Sequence, residues 1–354
     1  MGLLEETLKQ IRPLDAQEAW AADGRLNSLT KPPGSLGYLE EIIRRYAAIR
    51  RDGSARNGLG AIAVFVADHG VADAGVSAFP QAVTVEMLRN IAGGGAAISV
   101  LARRFGYELR TIDVGVKTDT RAMPLAGVTY RRVVAGTRNL LNEPAMTPEQ
   151  ARRALEIGIE TARDLAAVGA TLIGIGEMGI ANTTSASALL AALTASQPEA
   201  IVGRGTGLDD AGVRRKMEVV TRALELHRPS LSDPLKMLAA LGGLEIAAMA
   251  GACIGGAACS VPVVVDGFIS TAGAAAAERL SPGLFDHLFF SHCSAEGGHA
   301  RVLELLQVRP ILSLDMRLGE GTGAALAMNV IASALDLFHN MATFATAGVS
   351  GKVR

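Results

Sequence analysis

A chain of 354 residues, 49% hydrophobic and 19% charged, is long enough for one large or two ordinary domains and apolar enough to bury a sizeable core. Its formal net charge of −1 leaves no basic footprint for nucleic acid or an anionic membrane surface, and 4% aromatics leave few platforms for stacking bases. Three cysteines without CxxC spacing (Cys253, Cys259, Cys293) argue against a disulfide framework or a zinc centre and for a reducing compartment.

The start, MGLLEETLKQIRP, carries acids where a signal peptide needs bases, so a cytoplasmic protein is expected. Residues 1–55 mix charged and apolar side chains at helical spacing. Lys31-Pro32-Pro33-Gly34-Ser35-Leu36-Gly37 interrupts them, because paired prolines exclude helix. Ser35 is the expected cap of a helix from Leu36 to Ile49. From Ala61 onward, short β-branched runs alternate with alanine-rich segments. Strands are expected at Ala61–Ala67, Leu109–Val114, Thr129–Val134, Thr171–Ile175, Ala200–Val202, Val261–Val265, Leu288–Ser291 and Ile311–Leu314. Between them lie helical patterns over Val83–Leu101 (opened or broken at Gly93-Gly94-Gly95), Pro148–Val168 (capped by Thr147), Asn182–Thr194, Asp210–Leu226, Leu235–Gly256, Ser270–Glu278 and Ala324–Leu337.

Ile246–Val265 carries no charge and imitates a membrane span. Ser260 and Pro262 inside it, and Glu245 and Asp266 at its edges, fit a buried helix running into a buried strand better. No membrane span is expected. Uninterrupted apolar strands alternating with helices predict an α/β fold, a Rossmann-like and mostly parallel sheet with helices on both faces. The two helical ends, residues 1–55 with about 338–354, are expected to form a small helical domain beside a large α/β catalytic domain of residues 56–337. Ligands on such sheets bind at the carboxyl ends of the strands.

Four loops placed there carry the chemistry. Arg317-Leu318-Gly319-Glu320-Gly321-Thr322-Gly323 sets one acid among three glycines before a helix; glycine lets backbone and ligand approach closely, and free helix N–H groups suit phosphate. Gly174-Ile175-Gly176-Glu177-Met178-Gly179 is formally GxGxxG, which suggests an NAD(P)-dependent oxidoreductase. The acid expected at the end of the next strand is missing, however, with Arg204 standing there instead. Glu177 is placed to accept ribose hydroxyls, and Asn182-Thr183-Thr184 to hold ribose or phosphate oxygens. Gly203-Arg204-Gly205-Thr206-Gly207, followed by Asp209-Asp210 and Lys216, suits a phosphate monoester. Ser291-His292-Cys293-Ser294-Ala295-Glu296-Gly297-Gly298-His299 has no nucleophile elbow, and its histidines with His69 show no recognised ligand spacing. Ser294 is therefore read as a phosphate-binding hydroxyl, with no metal. Asp68-His69-Gly70 and Asp266-Gly267-Phe268 are further clusters at strand ends.

Taken together, KPPGSLG (31–37), ADHGV (67–71), GIGEMGIANTT (174–184), GRGTGL (203–208), DGFISTA (266–272), SHCSAEGGH (291–299) and RLGEGTGAALA (317–327) resemble, in order, the nicotinate-nucleotide:dimethylbenzimidazole phosphoribosyltransferases of the lower-ligand branch of cobalamin synthesis. The resemblance covers essentially the whole chain, and Tyr38 departs from it where a basic residue is expected. It implies transfer of the 5-phosphoribosyl group from nicotinate mononucleotide to 5,6-dimethylbenzimidazole, giving α-ribazole 5′-phosphate and nicotinate, with no cofactor. The leaving group is already a pyridinium, so one carboxylate suffices to deprotonate the attacking azole. By that resemblance and by its glycine frame, Glu320 is the general base, with inversion at C1′. Glu177 would bind ribose or support the developing positive charge, and Gly176, Asn182 and Thr183 would be among the substrate-binding residues. Gly205, Lys216, Ser294, Gly319 and Gly321 would hold the phosphate. Phe79, Pro80, Met178, Met316 and Leu318 would line the slot for the flat base. The resemblance also implies a homodimer acting on small molecules.

Overall fold

The computed structural model describes residues 2–120, 124–205 and 207–350. Among these residues seven strands form one parallel sheet: β1 (Leu59–Ala67), β2 (Glu108–Gly115), β3 (Val128–Tyr130), β4 (Ala170–Met178), β5 (Val263–Val265), β6 (Leu288–His292) and β7 (Pro310–Leu312). Their order is β3-β2-β1-β4-β5-β6-β7. Continuous apolar strands such as AIAVFVA need cover on both faces, and β1 is buried from Gly60 to Ala67. The order reverses between β1 and β4, whose neighbouring carboxyl ends open the crevice such sheets use for ligands.

Fourteen helices surround the sheet among the described residues. They are α1 (Leu3–Leu8), α2 (Ala16–Ser28), α3 (Tyr38–Arg50), α4 (Val83–Ala92), α5 (Ala97–Phe105), α6 (Pro148–Ala167) and α7 (Asn182–Thr194), then α8 (Asp210–Leu226), α9 (Pro234–Leu241), α10 (Leu244–Ala258), α11 (Phe268–Leu280), α12 (His299–Leu305), α13 (Thr322–Asn340) and α14 (Phe344–Ala347). One core, around Phe65, Ile173, Val263 and the alanine-rich faces of α6, α10 and α11, lies on one side of the sheet. The other, around Ile62, Val64 and Val264, is closed by α3, α4, α5 and α13. The α/β architecture is the expected one.

Several boundaries differ from the sequence reading. Ala200–Val202 is not a strand: Pro198–Ala200 forms a 3-10 turn, as proline at its first position favours. The expected helix Leu235–Gly256 is two helices, because Gly242-Gly243 breaks the run between α9 and α10. The expected strand Thr129–Val134 shortens to β3. Ser35 does not cap α3, whose cap is Gly37 at φ +58. The Lys31–Gly37 loop is instead fastened by a buried ion pair, Lys31 Nζ to Glu40 Oε1 at 2.8 Å, and Glu40 also accepts the Leu36 amide.

The apolar stretch that imitates a span becomes α10, with 15 residues, followed by β5; that is shorter than the roughly 20 residues a bilayer needs. α13 is long and apolar enough to qualify, but Ala324, Met328, Ile331 and Leu335 are fully buried against the sheet. The end of α2 meets the end of α13. Arg25 donates to the carbonyls of Phe338 and His339 at the end of α13, and Leu29 bridges Thr343.

Candidate active site

Glu320 sits in a backbone turn with three successive left-handed residues, Gly319 (φ +83), Glu320 (φ +63) and Gly321 (φ +89). For a residue with a Cβ this region costs about 1–2 kcal/mol, so something must hold it there. On one side the Glu320 amide donates to the Glu177 carbonyl at 3.2 Å. On the other, the Gly321 amide donates to Asp266 Oδ2 at 3.0 Å. Gly176 completes the seat, since a Cβ there would collide with the Glu320–Gly321 backbone. The sequence pattern foresaw the glycine frame but not the handedness of the acid itself.

The Glu320 side chain is buried (4% exposed) and accepts the Ile98 amide at 3.4 Å, so it meets the first turn of α5. Burial raises its pKa, against the pull of the Ile98 and Ala97 amides. A carboxylate held on backbone amides, with its basicity increased by burial, is suited to accept a proton.

Beside this turn lies a cavity of about 90 Å³ lined by Glu177, Met178, Asn182, Thr183, Gly205, Ser294, Leu318 and Gly319. A wider hollow of about 700 Å³ shares Gly205, Glu296 and Arg317 with it. Eight of the residues expected from sequence thus converge on one place. Glu320 is not among the lining residues; it lies two positions beyond Leu318, with its carboxylate turned toward α5. Gly176 and Gly321 lie beneath the rim as backbone. Met316 contributes its carbonyl, which accepts from Ala295 N and Ser294 Oγ. Phe79 (49% exposed) and Pro80 do not line the cavity.

Glu177 is the penultimate residue of β4, with its carboxylate buried and accepting from Asn182 Nδ2. Burial, then the nearby Glu245 charge, pushes its pKa up to about 8. The acid is therefore largely protonated at neutral pH. Lys216 is fully buried; its Nζ donates to Thr183 Oγ1 (2.9 Å) and the Gly203 carbonyl (3.2 Å) and stands 3.9 Å from Glu296 Oε1. Desolvation lowers it to about 8, with Glu296 opposing. The Gly205 amide donates to the same Glu296 oxygen at 2.8 Å. Lys216 Nζ, Thr183 Oγ1 and Gly205 thus lie together beside Glu296; Thr206 lies outside the described residues.

Asp266, Glu296 and His292 were noted within their loops but given no role of their own, and all three are buried here. Asp266 and Glu245 are the lone acids flanking the uncharged 246–265 stretch, and that isolation was the available signal. Glu245 pairs with His69 Nε2 (2.6 Å), whose Nδ1 meets Ser185 Oγ (3.0 Å), in a fully buried network beneath the site. Among the described residues there is no cluster of His, Cys, Asp or Glu able to hold a metal.

The GxGxxG reading is overturned. β4 runs through to Met178, so Gly174 and Gly176 are strand residues rather than a phosphate-binding turn. They lack side chains because α13 and its preceding turn press on them: a Cβ at Gly174 would meet Met328 and Ala324.

A phosphoribosyltransferase family model matches residues 11–349. The nicotinate-nucleotide–dimethylbenzimidazole phosphoribosyltransferase of Geobacter sp. is 46% identical over 350 residues, covering 99% of this chain and 100% of its own. The enzyme of that name from Chloroflexus aggregans is 49% identical over 352 residues, covering 99% of both. The crystal structure of CobT from Thermus thermophilus matches with a TM-score of 0.90 at 49% identity, over 94% of this chain and 99% of its own.

Proposed function

This chain belongs to the nicotinate-nucleotide–dimethylbenzimidazole phosphoribosyltransferase family, and on that premise we propose how its own residues carry out the transfer. It is a phosphoribosyltransferase of cobalamin lower-ligand synthesis. The phosphate of nicotinate mononucleotide is held by Lys216, Thr183, Gly205 and Ser294, with the ribose against Glu177 and Asn182. The benzimidazole lies against Met178 and Leu318 on the Glu320 side. Glu320 removes the N–H proton while the other ring nitrogen forms its bond to C1′ from the α face. The C1′–pyridinium bond breaks with its electron pair returning to the pyridine nitrogen, and nicotinate leaves without needing an acid. Configuration at C1′ inverts. Glu177, neutral in the empty site, ionises when the pyridinium cation binds beside it, because an opposite charge lowers an acid's pKa.

The observation that carries this reading is the clamped left-handed Glu320 beside a cavity that gathers the nucleotide-type donors. Incubation with nicotinate mononucleotide and 5,6-dimethylbenzimidazole is expected to yield equal amounts of nicotinate and the α-configured ribotide, resolved by chromatography and proton NMR. Release of no nicotinate, or a β product, overturns it. The same proposal includes two structural expectations. A homodimer would cover Leu318, 58% exposed at the cavity rim. Residues 1–55 with about 338–350 would act as one helical unit, joined through Arg25 and Leu29.

A further inference from the structure

α13 opens in the interior, which creates a problem the helix does not solve for itself. Its cap is Gly321, which has no side chain, and residues 321–325 are all buried. The first N–H groups of a helix have no partner within it, and in a dry environment they require acceptors. The acceptor comes from another strand. Asp266, one residue past β5 and 1% exposed, takes the Gly321 amide on Oδ2 at 3.0 Å and the Ala324 amide on Oδ1 at 2.9 Å. Its own carbonyl is held by Ser291 Oγ at 2.7 Å, which ties the acid to β6. Space around the carboxylate is fully used: a Cβ at Gly323 would overlap the His292 ring and approach Asp266.

The consequence falls on Glu320. The peptide preceding it is fixed by the Glu177 carbonyl, and the peptide following it is fixed by Asp266. With both flanking peptides pinned, the Glu320 Cα has one available direction for its side chain. From this geometry we infer that Asp266 is the positioning residue for Glu320, clamping the turn from across the sheet so that the base keeps its left-handed conformation and its aim. The inference rests on the reading of Glu320 as general base. It assigns Asp266 no contact with substrate.

Replacing Asp266 with Asn keeps size and leaves one acceptor oxygen, but it presents an NH2 group to the second buried amide. Turnover of Asp266→Asn is expected to fall about ten- to a hundredfold, as small misplacements of reacting groups do, while KM for nicotinate mononucleotide stays within about threefold. The decisive readout is a double-mutant cycle. Introduced into Glu320→Gln, Asp266→Asn is expected to cost less than about a further twofold, because the group it positions is already gone. A merely structural role would cost the same factor in both backgrounds, and that result overturns the inference, as does unchanged turnover in the single variant. If Asp266→Asn does not fold, Asp266→Ser keeps one capping oxygen and enters the same cycle. Near-normal turnover of Glu320→Gln alone would remove the general-base reading and this inference with it. Equal losses in both backgrounds would remove only this inference.

Discussion

Glu177 and Glu320 are two acids joined through the backbone, yet burial treats them differently. Glu320 keeps amide donors from the first turn of α5, whereas Glu177 has one carboxamide partner and lies near Glu245, Asp266 and Glu320. A carboxyl whose folded pKa is raised to about 8 favours its protonated form in the native state. Its contribution to stability is therefore complete below about pH 4.5 and is lost as pH rises through about 8. Glu177→Gln removes that dependence, so the melting temperature of the variant minus that of the parent should increase steadily from pH 5 to pH 8.5. A flat difference in differential scanning calorimetry contradicts the assignment. Using the difference is necessary, because the lowered pKa values of His292 and His299 act with opposite sign below pH 6.5. At this scale Glu320 and Lys216 could be nominated from sequence, since glycine frames and basic runs are local patterns. What Asp266 and Glu296 hold was not legible, because their partners lie 55 and 91 residues away.

Glycine spacing has two meanings at the level of elements, and only packing separates them. Gly174 and Gly176 spell a nucleotide fingerprint, but they are places where a strand admits α13 and its preceding turn. Gly158 and Gly251 do the same for α6 and α10, where a Cβ would strike the carbonyls of Ala248 and Leu155. Gly176→Ala and Gly251→Ala should each destabilise the protein by about 1–3 kcal/mol in urea unfolding, the usual cost of overpacking. They should differ in turnover. Gly176→Ala displaces the Glu320 turn and lowers turnover per folded molecule, whereas Gly251→Ala leaves it near normal. Equal turnover in the two would mean that the turn is not seated on β4. The break at Gly242-Gly243 was missed for the related reason that hydrophobic periodicity continues across it. The strand expected at 200–202 failed because three apolar residues cannot outweigh Pro198.

For the molecule as a whole, strand alternation gave the sheet, while the meeting of distant segments at its carboxyl edge had to come from topology. Reversal of strand order between β1 and β4 opens the crevice. In the proposed reading, the ends of β4 and β6, the 203–205 loop and α8 would supply the donors for nucleotide, and the turn before α13 the acid. That proposal puts binding and proton abstraction on separate parts of the chain, so it predicts that one can be removed without the other. The most direct measurement is turnover of Glu320→Gln together with its affinity for nicotinate mononucleotide by calorimetry. Affinity within about threefold of the parent, with turnover reduced at least about a hundredfold, is the predicted result. Turnover close to the parent's would show that the proton leaves by another route and that Glu320 is not the base.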